Sequence, residues 1–168
     1  MNTISRIETG DVQFNYTHTN LALLVEEAYL FERAALGDYR VKFESAYGAE
    51  IKVYIDEARL MHTLCELLTS AAKFTGDEKL CMRICDAGKD GRVRIEISDF
   101  GRGIAKDDLD NIFDALSQAN DLYGATHNEI GSGLALSKCI ANEMSVDLGV
   151  SSRTGMGTTF GLELSLSA

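Results

Sequence analysis

The stretch RVRIEISDFGRGIAKDD, Arg92 to Asp108, sets a short hydrophobic alternation ahead of an aspartate and two glycines spaced Asp-x-Gly-x-Gly. Side chains alternate across a strand with period two, so Val93, Ile95 and Ile97 share one face and Asp99 continues it. A carboxylate on the apolar side of a sheet needs a donor, because an unpartnered ion there costs on the order of several kcal/mol in desolvation. Gly101 and Gly103 remove side chains where a backbone bends sharply or where a bound molecule comes close, so acid and glycines together suggest a lined pocket. A tight turn whose aspartate caps a helix over Lys106–Phe113 accounts for the same residues equally well.

The tripeptide Asp99-Phe100-Gly101 also occurs in eukaryotic-type protein kinases, where the aspartate holds magnesium. That architecture needs a glycine-rich loop near the chain start, a strand lysine and a His-Arg-Asp loop ahead of the tripeptide. None of these precedes Asp99, and the residues before it are too few for such a fold.

Working outward, strands Lys79–Asp86 and Gly91–Ser98 are expected to pair as a hairpin through Ala87-Gly88-Lys89-Asp90. Upstream, the pattern predicts a strand Asp11–Tyr16, a helix Leu21–Ala35, strands Arg40–Ala46 and Ile51–Ile55, and a helix Glu57–Phe74. Downstream it predicts a short helix Lys106–Phe113, a polar segment Asp114–Ile130, a helix Ser132–Met144, and strands Val146–Ser151 and Thr158–Leu166. No Pro-rich linker, low-complexity tract or internal repeat divides the chain. The fold class expected is α+β: a two-layer sandwich with a mixed, mostly antiparallel sheet covered on one face by helices and open to water on the other.

The helix Glu57–Phe74 carries two stripes. Leu60, Leu64, Leu67, Leu68 and Ala71 form an ordinary core stripe at helical spacing. Thr63, Glu66, Ser70 and Lys73 form a polar stripe beside it. For an isolated helix that second stripe reads as a solvated face; here it competes with a buried Asp99 nearby.

The composition frames both readings. The 168 residues are 45% hydrophobic, enough for one domain with a real core. No run of about 18 apolar residues and no signal-peptide pattern occurs, so a soluble, cytoplasmic chain is expected, with any membrane segment of a parent protein lying outside it. A net charge of −10, from 26 acidic and 16 basic residues, argues against nucleic-acid or anionic-lipid partners. Cys65, Cys81, Cys85 and Cys139 are widely spaced in apolar segments, which fits reduced thiols. Cys81 and Cys85 share one side of a strand, but a metal there lacks two further ligands.

Together these pieces resemble the catalytic ATP-binding domain of sensor histidine kinases, in the superfamily shared by gyrase, Hsp90 and MutL. DEARLMHTLCELLTSAAKFT, Asp56–Thr75, resembles the N box, and DFGRGI, Asp99–Ile104, the G1 box. NIFDALSQAND, Asn111–Asp121, resembles the F box and the start of the ATP lid. GSGLALSK, Gly131–Lys138, matches the second half of the G2 box, and GMGTTFGLEL, Gly155–Leu164, the closing glycine turn and strand. One box alone is weak; several in order are strong. The resemblance implies the Bergerat (GHKL) ATPase fold over residues 11–168. Residues 1–10 would end the preceding dimerisation and phosphoacceptor helix and its linker, and the lid wording is most similar to hybrid kinases.

The resemblance also implies roles. Asp99 would accept a hydrogen bond from the adenine amino group, with Gly101 and Gly103 letting the backbone pass close to the base. Lys73 would reach the phosphates as a point charge. Gly131 and Gly133 would hinge the lid and bring backbone N–H groups and the start of helix Ser132–Met144 to the phosphates. Glu66 would be the catalytic acid that orients the attacking group. Ile104, Phe113, Leu134 and Thr159, in the matching boxes, would complete the nucleotide site. ATP with Mg2+ is the implied cofactor set.

Departures from the family pattern gather on the phosphate side. Ser70 stands in place of the magnesium-binding asparagine; its hydroxyl is shorter and a poorer ligand than a carboxamide oxygen. Glu129 stands in place of the first G2 glycine and adds like charge beside a triphosphate; Ser132 replaces a leucine. The lid lacks basic residues between Asp114 and Ile130.

Two functions follow from the resemblance. One is a protein-histidine kinase domain that moves the γ-phosphoryl of ATP to a histidine on an adjacent dimerisation domain, in a phosphorelay with a response regulator or receiver domain. The other is a degenerate relative that binds protein or senses nucleotide. A serine-kinase anti-sigma factor shares the fold but not the opening SRIETG, Ser5–Gly10. His18, His62 and His127 do not stand in the sequence context of an acceptor helix and read as surface or structural residues.

Overall fold

The computed structural model describes residues 13–37, 40–48, 50–74, 79–113 and 125–167, with 125–133 described by their backbone. Its strands are β1 (Tyr16–Asn20), β2 (Arg40–Ser45), β3 (Lys52–Asp56), β4 (Lys79–Asp86), β5 (Arg92–Asp99), β6 (Asp147–Arg153) and β7 (Gly157–Ser165). Its helices are α1 (Leu21–Leu36), α2 (Glu57–Phe74), α3 (Lys106–Leu109) and α4 (Ala125–Glu143). The main sheet runs β2-β4-β5-β7-β6, and β1 pairs with β3 in a separate two-stranded sheet. Among the described strand pairs only β2–β4 is parallel; the others are antiparallel.

Alternation along β5 decides which face is which. Val93, Ile95, Ile97 and Asp99 are buried, while Arg92, Arg94, Glu96 and Ser98 are half-buried on the other face. Phe160, Leu162 and Leu164 continue the inner face on β7, and Leu80, Met82 and Ile84 on β4. Against them pack Leu60, Leu64, Leu67, Leu68 and Ala71 of α2, all buried. Each fully buried leucine of this kind stabilises by about 1.5–3 kcal/mol relative to exposure, so this α2 stripe is a main anchor of the layer. The outer face carries ion pairs such as Arg94–Glu163 and Arg83–Glu96 and no helix among the described elements crosses it.

Local signals set the helix ends. Asn20 caps α1, its side chain accepting from Ala22 N–H at 3.1 Å, and Gly37 closes it at φ 63° with its N–H on the Arg33 carbonyl. Asp56 opens α2, accepting from Arg59 N–H at 3.1 Å and from Asn15 N–H at 2.8 Å.

Three expectations are corrected. The first strand lies at Tyr16–Asn20 rather than Asp11–Tyr16, because its register is set by β3, with Tyr16 opposite Asp56 and Asn20 opposite Lys52; Asp11 and Val12 lie outside the described residues. The short helix stops at Leu109, ahead of Phe113. The last helix begins at Ala125, so part of the segment expected to be polar loop is helical. His18 lies on β1 with its ring 4.9 Å from Tyr54.

Candidate functional site

Asp99 ends β5 on the inner face and is 3% exposed. Its Oδ1 accepts the Gly101 N–H at 3.0 Å, closing a tight turn of the Asx kind. Its Oδ2 is buried with no hydrogen-bond partner among the described residues. Burial pushes the Asp99 carboxyl above the usual carboxylate range, and the backbone N–H groups of Gly101 and Thr158 offset part of that rise. Asp99 does not cap the following helix: Ala105 is the N-cap and offers no side-chain bond. The turn reading therefore accounts for one carboxylate oxygen; the other is a buried acceptor that no donor meets in hydrogen-bond geometry, the Thr158 N–H acting on the carboxyl without bonding it.

The glycine turn is held from β6. Gly103 has φ 72°, and a Cβ on it would lie 2.2 Å from the Arg153 carbonyl oxygen. The Gly155 N–H donates to the Arg102 carbonyl at 2.7 Å, and the Ile104 N–H to Ser152 Oγ at 2.7 Å. Ser152 Oγ also donates to the Gly157 carbonyl and lies 2.8 Å from Thr158 Oγ1. Ser152 and Thr158 thus tie the last two strands to the loop that follows Asp99. Gly103 has a packing reason to be glycine whatever it faces.

The polar stripe of α2 divides. Thr63 and Ser70 are buried, Glu66 is half-buried and Lys73 is exposed. Thr63 bonds back to the Arg59 carbonyl, so its hydroxyl is satisfied within the helix. Since α2 packs on β5, Ser70 belongs to the same interlayer as Asp99. Lys73, in the last turn, has no ion pair among the described residues. A solvated face describes Lys73 and does not describe Ser70.

Other predicted residues take their places in the core. Ile104 and Leu134 are buried within it. Phe113 is half-buried, its ring edge-on to Phe160 at 6.5 Å and 5.4 Å from the Lys138 ammonium, which also bonds the Leu148 carbonyl. Phe113 therefore links the segment after α3 to both β7 and α4.

Two predicted placements change. Thr159 pairs with Ser98 on the outer face, Oγ1 to Oγ 2.8 Å, on the side of the sheet away from Asp99. Its neighbour Thr158, 2% exposed, is the hydroxyl on the Asp99 side. Parity could have found it, since Thr158 lies two residues before Phe160 on the same alternating face. Gly131 and Gly133 fall inside α4, with Ser132, so the helix start is not at Ser132. Within a helix each amide has a carbonyl four residues back as its partner, and these N–H groups are not at a free helix end. The side chains of Glu129 and Ser132 lie outside the described residues.

A cavity of about 660 Å³ beside Gln13, Asn15, Asp56 and Arg59 contains none of the predicted site residues. A hollow of about 450 Å³ touches Asp99 and Thr159, but on the outer face with Ser98 and Arg83. Among the described residues no cluster of three or more His, Cys, Asp or Glu side chains is arranged to hold a metal, and no helix is long and apolar enough to cross a membrane.

Residues 55–168 match a family described as histidine kinase-, DNA gyrase B-, and HSP90-like ATPase. The aerobic respiration control sensor protein ArcB of Escherichia coli (strain K12) is 36% identical over 127 residues, covering 74% of this chain and 16% of that protein. The sensor protein GacS of Pseudomonas syringae pv. syringae is 26% identical over 167 residues, covering 96% of this chain and 18% of its own. This chain thus spans less than a fifth of either relative. The crystal structure of full-length ShkA in complex with AMPPNP matches with a TM-score of 0.81 at 23% identity, over 98% of this chain and 34% of that one. The nucleotide-free catalytic domain of histidine kinase ThkA matches at 0.72 and 22%, over 90% of this chain and 96% of that one. At these identities the structures carry the fold, including β1, α1 and β2 ahead of the family match.

Proposed function

Because this chain belongs to the histidine kinase-, DNA gyrase B- and HSP90-like ATPase family and has the fold of histidine kinase catalytic domains, we propose that it is the ATP-binding catalytic domain of a sensor histidine kinase. In that role it serves the transfer of a phosphoryl group to a histidine on an adjacent dimerisation domain. The observation that carries this reading is the buried, unpartnered Oδ2 of Asp99. It is an acceptor held at a strand end by a backbone turn, and it fits the exocyclic amine of adenine, a neutral donor that favours the ionised carboxylate.

ATP supplies the transferable γ-phosphoryl group. The chain's own residues bind and orient around it. Lys73, exposed and uncommitted at the end of α2, supplies positive charge toward a polyanion. Glu66, one turn before Ser70, orients the attacking group. Ser70 would offer a short neutral hydroxyl to magnesium, which when bound with ATP would supply positive charge that neutralises the phosphates. Catalysis by such a set is positioning and electrostatics rather than covalent chemistry. A response regulator or receiver domain would take the phosphoryl group onward.

The test is calorimetric titration of the chain with ATP and with ADP, with magnesium and with chelator. Saturable binding of both nucleotides, lost in Asp99→Asn, is expected. No binding by the parent chain, or equal binding by Asp99→Asn, would overturn the reading. With labelled ATP the chain should form no phosphohistidine by itself and should gain activity when joined to its dimerisation domain; acid-labile label on His18, His62 or His127 would contradict it.

A further inference from the structure

We propose that the outer face of the sheet, behind the Asp99 turn, is a docking surface for a protein segment that is acidic and carries an aromatic or aliphatic anchor. Two adjoining hollows of about 450 and 410 Å³ share Cys81, Arg83 and Phe100 there. Five cations line them: Arg40, Lys42, Lys79, Arg83 and Arg153. Three carboxylates border them as well: Asp99, which is buried, and Glu44 and Glu96, which are both already engaged. Lys42 holds Glu44 at 2.8 Å, and the Arg83 Nε lies 3.6 Å from Glu44 and 3.8 Å from Glu96.

Arg40, Lys79 and Arg153 have no ion pair among the described residues. Moreover, Arg40 stands directly opposite Lys79 in the β2–β4 register. Like charges directly opposite one another across strands are unfavourable. A chain of net charge −10 does not place that repulsion by bulk composition, and an acidic partner would relieve it.

The apolar part of the surface points to a protein rather than a free anion. Phe100 is 55% and Met156 68% exposed, and both border the hollow that also holds Arg83 and Arg153. Aromatic, Met and Arg side chains are the types enriched where proteins meet, while a small anion gains nothing from Phe100 or Met156. Ser98 and Thr159, between them, are bonded to each other and leave no free nest of donors for a phosphate. A nucleic acid, a uniform polyanion of far higher charge density than a mixed acidic and aromatic segment, is more strongly disfavoured by the overall negative charge. The cations lie across the sheet from the inner face that holds Asp99, although Asp99 itself borders the larger hollow, and the proposal does not rest on nucleotide binding.

The probe is a short fluorescein-labelled peptide of glutamates and aspartates around one phenylalanine, followed by anisotropy against the whole chain at low and at physiological salt. Saturable binding that weakens with salt is expected, cut about tenfold or more by Arg40→Glu with Lys79→Glu, and also by Phe100→Ser. Lys52→Glu, on β3, should leave it unchanged. Thermal melts check that each variant folds, and the milder pair Arg40→Gln with Lys79→Gln should give a smaller loss in the same direction. The proposal fails if the parent shows no saturable binding, if the charge reversals have no effect, or if inorganic polyphosphate displaces the peptide equally well in the parent and in Phe100→Ser.

Discussion

The α-carbon of Gly157 packs against the backbone of Asp99 so closely that a Cβ there would lie 2.1 Å from the Asp99 carbonyl oxygen. The first residue of β7 thereby fixes the height of the turn that presents the Asp99 carboxyl. Gly157 also has φ 106°, which L side chains rarely adopt.

Gly157→Ala should therefore act on both stability and site. The strained backbone alone costs about 1–3 kcal/mol, and the clash adds a displacement of Asp99. Gly155→Ala is the control, since Gly155 has φ 82° but open space around it. Urea unfolding should show both variants destabilised, with Gly157→Ala the more so, and only Gly157→Ala should also weaken ATP binding. Equal behaviour of the two would mean that the packing against Asp99 is not what the site depends on.

Asp99 should also leave a signature in pH. Burial raises its folded pKa above its ordinary value of 3.8, so between the two values the folded state holds the proton more tightly than the unfolded state. Stability from this group is therefore present in acid and is lost as pH rises through that window. At neutral pH the ionised side chain weighs against folding, and Asp99→Asn should melt at the same temperature as the parent or higher, with the difference vanishing below the ordinary carboxylate pKa. ATP binding should be lost in the same variant. A large destabilisation by Asp99→Asn at neutral pH would assign Asp99 a purely structural partner.

Hydroxyls on adjacent residues of β7 separate the two faces. Thr158→Ala should weaken nucleotide binding severalfold and cost about 1 kcal/mol of stability through its lost hydrogen bond, while Thr159→Ala should leave binding unchanged. The comparison needs only titration calorimetry on the two variants. If Thr159→Ala alone impaired binding, the inner and outer faces would be misassigned.

What the sequence made legible and what it hid follow from how local each feature is. Helix α2 was readable over Glu57–Phe74 because its leucines repeat at helical spacing, and the inward position of Asp99 because Val93, Ile95 and Ile97 alternate ahead of it. Strand β1 was misplaced because Val12 and Phe14 mimic an alternation, whereas its partner β3 is distant in the chain and sets the register. Thr158 is legible from the parity of Phe160, two residues on along the same face, whereas the family pattern points to its neighbour Thr159. The cationic outer surface was invisible, since Arg40, Lys79 and Arg153 come from three strands that only the sheet order brings to one face.

Helix α4 hid its start because the residues up to Ile130 are polar and Gly131 stands just ahead of the expected start at Ser132. Glycine in a helix interior is about 0.5–1 kcal/mol less stable than alanine, so Gly131→Ala with Gly133→Ala should stabilise the chain by roughly one to two such increments. If phosphate binding needs these amides released from the helix, the same pair should weaken ATP more than adenosine. Stabilisation with unchanged ATP affinity would show that the helix reaches the nucleotide without unwinding.

Ser70 gives the sharpest division between metal and charge. It is 2% exposed on α2, so Ser70→Asn must fit a larger side chain into a packed interlayer, at a cost of about 1–3 kcal/mol in stability. The added carboxamide oxygen should nonetheless reach toward the metal, making ATP affinity magnesium-dependent by about tenfold, equivalent to ~1–2 kcal/mol. The rival cause is Glu129, whose charge, at the G2-box position that the resemblance implies, would oppose phosphates with or without metal. On that account Ser70→Asn does little, and Glu129→Gly improves ATP more than ADP because repulsion grows with each phosphate. Titrations of both variants with magnesium present and chelated separate the two, and Ser70→Ala reports the packing effect alone. Should the parent already bind Mg-ATP tightly and neither substitution alter it, the hydroxyl of Ser70 is sufficient for a metal held by phosphate and water, and the departure at this position has no bearing on catalysis.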